Sequence, residues 1–130
     1  MAEGSVIALF TGVDGRPLLT IAPPAHWSSH WEAGEDTRQY YLKGDGVSMT
    51  VEFWDFEPTW VCRDASCGLS SMVVDGVAAK LLRPPTDGVI LAFLPRRNDA
   101  SRRGVSVAAR CATPAACKLA EDVIRSIRGL

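Results

Sequence analysis

At 130 residues and 14.0 kDa, with 47% hydrophobic and 22% charged residues, the chain has the composition of one globular domain. It is too short for a TIM barrel, a kinase or a Rossmann domain with a partner domain, and too apolar for a disordered chain. The net charge of −1, from 14 basic and 15 acidic side chains, argues against bulk nucleic-acid affinity.

Val6–Phe10 and Pro17–Ile21 are short β-rich runs around the turn signal Gly12-Val-Asp-Gly15, which together predict a first hairpin. Ala22-Pro-Pro-Ala ends the second strand, because proline has no N–H to give to a ladder. Residues 26–36 read as a polar, tryptophan-bearing loop or short helix. Thr37–Lys43 and Val47–Phe53 flank Gly44-Asp-Gly46, the clearest hairpin signal in the chain. In its second strand Val47, Met49, Val51 and Phe53 alternate with Ser48, Thr50 and Glu52, which predicts one buried and one wet face. Asp55–Leu69 reads as irregular, with at most a helical turn.

Ser70–Val74 and Val77–Leu82 flank Asp75-Gly76, a type I′ signal. Val89–Leu94 is apolar on both faces and belongs in the middle of a sheet; Arg96–Arg103 is a charged loop, and Val105–Arg110 alternates again. Thr113 as N-cap and Pro114 at the first helical position start a helix whose apolar face carries Ala116, Leu119, Ala120, Val123, Ile124 and Ile127, with Gly129 as its stop. The predicted class is α+β. It consists of a mostly antiparallel sheet of hairpins with a C-terminal helix over about 113–128 packed on it, open to a three-layer α/β/α arrangement. Residues 1–4 read as a disordered or non-native extension and 5–130 as a single domain.

The four cysteines form two local pairs, Cys62 with Cys67 and Cys111 with Cys117. The spacings, four and five intervening residues without a glycine-rich knuckle, suit disulfides better than zinc or free thiols. Each short loop brings its own ends within bonding reach, so local connectivity is expected. Disulfides imply a periplasmic or secreted protein whose leader has been removed; reduced cysteines would imply the cytoplasm. No apolar run approaches transmembrane length; the longest, Val89–Leu94, is a third of what a span needs.

Leu19-Thr-Ile-Ala-Pro-Pro-Ala-His-Trp27, Val74-Asp-Gly-Val-Ala-Ala-Lys80 and Val123-Ile-Arg-Ser-Ile127 follow an order that resembles the PsbP/Mog1/DcrB-like α/β sandwiches. The resemblance spans most of residues 16–130 and departs at 55–70, where the family's middle helix is short and cysteine-bearing. It implies a binding, assembly or accessory role and transfers no catalytic residues.

Three constellations are candidate sites. Arg96, Arg97, Arg102 and Arg103 bracket one loop and suit a phosphate, a carboxylate or an acidic partner, against the plain reading of a solvated loop. Trp27, Trp31, Trp54 and Trp60 are candidates for an aromatic ligand or partner surface, or for core. His26 and His30 would share a face for zinc or copper if their segment were helical, although the plain reading is two solvent-facing imidazoles.

Residues 1–79 carry 4 basic and 11 acidic side chains, −7, and residues 80–130 carry 10 and 4, +6, which suggests a dipolar molecule or two halves that pair. No catalytic residue and no cofactor is assigned. The expected function is a non-enzymatic, extracytoplasmic protein-binding module of the inhibitor, immunity or assembly type, with no nucleic-acid partner and the oligomeric state left open. Alternatives are a small-ligand or metal-binding protein using the His26/His30 and aromatic segment, and a hydrolase whose cleft brings His26 or His30 to Ser70 or a cysteine.

Overall fold

The computed structural model describes residues 6–11, 14–33, 38–60, 67–84, 88–97 and 103–130. Nine strands precede one helix: β1 (Ile7–Thr11), β2 (Pro17–Ile21), β3 (Ser28–Ala33), β4 (Arg38–Gly44), β5 (Val47–Phe56), β6 (Gly68–Val74), β7 (Val77–Arg83), β8 (Val89–Pro95), β9 (Arg103–Cys111) and α1 (Pro114–Arg125). β1 and β2 pair as a separate hairpin. The other seven strands form one antiparallel sheet in the order β3-β4-β5-β9-β8-β7-β6. The fold is therefore α+β, as the hairpin signals predict.

The turns explain the ladders. Asp45 and Gly46 have φ of 52° and 79°, and Asp75 and Gly76 have 53° and 76°. Each pair makes a two-residue turn of positive φ, whose twist matches that of the strands it joins. From β5 the chain does not turn back but crosses to the far edge of the sheet to begin β6. Three strands, β9, β8 and β7, lie between the two, and just past β5 the Glu57 carboxylate lies 2.9 Å from Lys80 Nζ of β7.

The inner face of the sheet is mostly apolar. Leu42, Val47, Met49, Val51, Val105, Val107, Ala109, Ile90, Ala92, Leu94, Ala79, Leu81, Met72 and Val74 come from six adjacent strands and join one core. Ala116, Ala120, Val123 and Ile124 of α1 cover part of this face, and Leu9, Leu19 and Ile21 of the β1–β2 hairpin complete the cover. The only helix among the described residues and the β1–β2 hairpin thus lie on the same face, and no helix among the described residues covers the other face as a three-layer arrangement would require. β8 sits inside the sheet, as its two apolar faces predict: Ile90, Ala92 and Leu94 face α1 while Phe93, fully buried, faces away.

Two local expectations are corrected. Residues 28–33 form β3 rather than a loop or helix, in unbroken register with β4 from Ser28↔Lys43 to Ala33↔Arg38. The period-2 pattern is faint there because an edge strand over a half-covered face needs no regular apolar positions. The helix ends at Arg125, capped by Ser126, and not at Gly129. The last residues leave it to reach other elements: Thr20 and Arg128 exchange backbone hydrogen bonds of 2.9 and 3.0 Å, and Ile127 and Leu130 are buried. Thr113 caps the helix as expected, its side chain accepting from Ala116 N at 3.1 Å.

The disulfide Cys111–Cys117 is present and ties the end of β9 to the first turn of α1. Cys67 is also disulfide-bonded; Cys62, the partner expected from its spacing, lies outside the described residues. Residues 1–4, Arg102 and residues 61–66 are likewise outside the description; of the stretch read as irregular, Asp55 and Phe56 belong to β5 and Gly68 and Leu69 to β6.

Candidate functional site

The aromatic residues of the first half divide between two places. Trp27 is buried and packs flat over Gly44, where an added Cβ would fall within 2.2 Å of the indole. Its Nε1–H donates to Asp45 Oδ2 at 2.8 Å, and His26 Nε2 lies 2.6 Å from the same oxygen. The Asp45 carboxyl is held below its ordinary pKa, first by the Trp27 indole N–H and then by His26. This cluster clamps the β2–β3 connection onto the β4–β5 turn. Trp27 is corrected from surface residue to core residue.

Trp31 stands apart, 60% exposed. Register places it opposite Tyr40 on the inner face of β3–β4, and Tyr40 opposite Val51 of β5. The β1–β2 hairpin lies over this corner of the sheet, with the Phe10 and Phe53 rings 6.3 Å apart. Between hairpin and sheet edge is a cleft of about 240 Å³, lined by Leu9, Phe10, Thr11, Trp31, Tyr40 and Phe53. It is an aromatic-lined slot, as much polar as apolar in its exposed lining, with the Tyr40 phenol and the Trp31 indole among its polar groups. Alternation along Val47–Phe53 assigns Phe53 to the inner face in the sequence, but Phe10 could not be found there, because nothing local says that the first hairpin folds over β3–β5. Trp60 is half-buried, and for Trp54 the backbone alone is described, on β5.

The two histidines part company. His26 goes to Asp45, whereas His30 lies on the opposite face of β3, stacked on Tyr41 with ring centroids 5.0 Å apart and its Nε2 3.7 Å from Glu32. Tyr41 Oη donates to Gln39, and Gln39 donates to Glu52, giving a polar ladder along that face. The helical pairing of His26 with His30 is replaced by a strand, and no group of three metal-ligating side chains occurs among the described residues. Ser70 belongs to β6 and the histidines to β3 and the turn before it, at opposite edges of the seven-stranded sheet. Six strand spacings put them roughly 29 Å apart, so the His–Ser arrangement of a hydrolase is not assembled. Cys111 and Cys117 are oxidised to a disulfide.

The arginine loop is only partly available. Arg96, Arg97 and Arg103 are exposed, and Arg96 N donates to Arg103 O at 3.1 Å, which closes the base of the loop. The Arg97 guanidinium, however, donates to the backbone carbonyl of Asp75, and Arg97 N donates to Leu130 O at 2.9 Å. Arg97 therefore joins the β6–β7 turn to the C-terminal residues. A wider groove of about 680 Å³ runs beside the Cys111–Cys117 disulfide and the start of α1, but its charged wall is already closed by the Arg83–Glu121 ion pair.

No helix of the described residues is long and apolar enough to cross a membrane. Comparison with protein-family models, with curated proteins and with solved structures gives no match for this chain.

Proposed function

We propose that the chain is a non-enzymatic binding module of an extracytoplasmic compartment, and that it holds another protein at the cleft between the β1–β2 hairpin and β3. The observation that carries this reading is Trp31, a large ring left 60% exposed at the mouth of an aromatic slot. Exposed tryptophan beside a preformed aromatic-lined pocket is the composition of an interface hot spot, where one side chain of each partner fills space on the other. At about 240 Å³ the cleft is smaller than the clefts that enclose drug-sized ligands, roughly 300–1,000 Å³, and favours a single apolar side chain. The Cys111–Cys117 disulfide supports an oxidising compartment. The resemblance to PsbP/Mog1/DcrB-like proteins supports an accessory role by analogy.

The test is site-specific photocross-linking. A benzophenone amino acid at position 31, and separately at Leu18 as an exposed apolar control (47% exposed), is irradiated in the producing cells. A discrete adduct at position 31, absent at position 18, is expected. With the protein so captured, Trp31→Ala should weaken binding about 30-fold, the loss typical of a hot-spot residue of about 2 kcal/mol. Equal cross-linking at both positions, or an affinity loss below about threefold, refutes the proposal.

A further inference from the structure

We propose that β6 is a self-association edge: two copies of this chain pair antiparallel through β6 about a two-fold axis at Ser71, joining their seven-stranded sheets. Among the described residues β6 is the terminal strand of the sheet, bonded to β7 alone. A free edge is ordinarily blunted by charge, proline, a bulge or shortness. Gly68-Leu-Ser-Ser-Met-Val-Val74 has no charged residue and no proline, runs seven residues, and pairs with β7 in unbroken register from Gly68↔Arg83 to Val74↔Val77. The opposite edge, β3, carries His30 and Glu32.

The hydrogen-bond phase of β6 follows from its turn. Asp75 and Gly76, both at positive φ, make a two-residue hairpin in which Val74 and Val77 are a hydrogen-bonded pair. Counting back by twos, Gly68, Ser70, Met72 and Val74 direct their N–H and C=O groups to β7. Leu69, Ser71 and Val73 direct theirs outward. The same three residues carry exposed side chains on the face away from the helix, Leu69 at 48% and Val73 at 69% exposure, whereas Met72 and Val74 are buried in the core.

These two facts fix both the partner and the register. An antiparallel copy centred on Ser71 sets Ser71 against Ser71 and Leu69 against Val73 of the second copy, twice over. All three outward-facing residues then bond, giving six inter-chain backbone hydrogen bonds. A shift of two residues keeps only four, and a shift of one turns apolar side chains to the wrong face. The apolar residues sit symmetrically two positions either side of the axis, and the absence of charge removes like-charge repulsion between identical strands. That is the self-complementarity an isologous contact requires.

The register makes the test specific. In a hydrogen-bonded antiparallel pair the opposed Cα atoms are about 5.5 Å apart, inside the range a disulfide bridges. Ser71→Cys in the full-length chain should form a covalent dimer under mild oxidation. Leu69→Cys alone should do so at least about tenfold more slowly, while an equal mixture of Leu69→Cys and Val73→Cys chains, in which about half the dimers are mixed, should cross-link at about half the initial rate of Ser71→Cys. By analytical ultracentrifugation, the unmodified chain should show a concentration-dependent monomer–dimer equilibrium below about 1 mM, and Val73→Lys, at a position the fold leaves exposed, should weaken it at least about tenfold. Leu18→Lys, on another exposed apolar residue, should leave it unchanged. A monomer throughout that range, equal cross-linking of Ser71→Cys and Leu69→Cys, or dimerisation unaffected by Val73→Lys overturns the proposal and leaves the edge to a strand of a different protein.

Discussion

Two turn aspartates hold the molecule together at the residue scale, and both do so from a position chosen for its backbone. Asp45 and Asp75 occupy the first left-handed site of a two-residue hairpin, which aspartate tolerates because its short side chain bonds locally. In both cases the carboxylate bonds outside its own hairpin. Asp45 takes the Trp27 indole and the His26 ring, and Asp75 Oδ2 takes the backbone N–H groups of Gly129 and Leu130 at 2.9 and 3.1 Å. Because the folded state lowers the pKa of Asp45, its contribution to stability is complete above the ordinary carboxylate pKa of about 3.9 and is lost as pH falls through the lower folded value. Asp45→Asn keeps a turn-forming residue and removes the charge. Its melting temperature should fall less steeply than that of the parent below about pH 4, and should lie under the parent's at pH 7. Parallel curves across the acid range would remove Asp45 from the acid response.

At the element scale, the join of β9 to α1 has three local supports. Pro114 presets the first helical φ, Thr113 accepts from Ala116 N, and Cys111–Cys117 closes a short loop across the junction. All three are legible in the sequence, since each is set by residues within seven positions of one another. The disulfide restricts the unfolded chain more than it shapes the folded one. Cys111→Ala with Cys117→Ala should therefore cost about 2 kcal/mol in chemical denaturation, with the helical circular dichroism of the native state preserved. Loss of the helix signal under native conditions would show that the bond is required for α1 itself. β3 is the contrasting case: its strand character arises from pairing with β4, and its own residues, Ser28-Ser-His-Trp-Glu-Ala33, carry no pattern strong enough to announce it.

Across the whole molecule, strand order rearranges what the sequence separates. The acidic first part of the chain supplies β1–β6 and the first three residues of β7. The basic last part supplies the rest of β7 with Lys80 and Arg83, and β8, β9 and α1. Because the order is β3-β4-β5-β9-β8-β7-β6, the strands from the basic part lie between β3–β5 on one side and the uncharged β6 on the other. The C-terminal residues close the assembly in the same non-local way: Arg128 pairs with β2, Gly129 and Leu130 with Asp75 of the β6–β7 turn, and Leu130 O with Arg97 beyond β8. Asp75→Gly retains a type I′ turn and removes the carboxylate. It should accelerate amide exchange at Gly129, Leu130, Thr20 and Arg128 well before the central strands. Uniform acceleration through β5, β8 and β9 would mean that the tail is part of the global folding unit and not a separable strap.

The sequence by itself determined the α+β class, the type I′ turns at Asp45-Gly46 and Asp75-Gly76, the capped start of α1 and the local Cys111–Cys117 bond. Each of these rests on backbone preferences and spacings between near neighbours. Only the tertiary structure decided which aromatic residues are core and which form a cleft. Trp27 and Trp31 are four residues apart and chemically alike, yet one is sealed over Gly44 and the other left at a sheet edge. The tertiary structure alone also separated His26 from His30, assigned Arg97 to a structural bond, and placed β6 last in the sheet among the described residues. These outcomes depend on strand order and on where the first hairpin lies, which are settled by burial of the whole apolar face and not by any local signal.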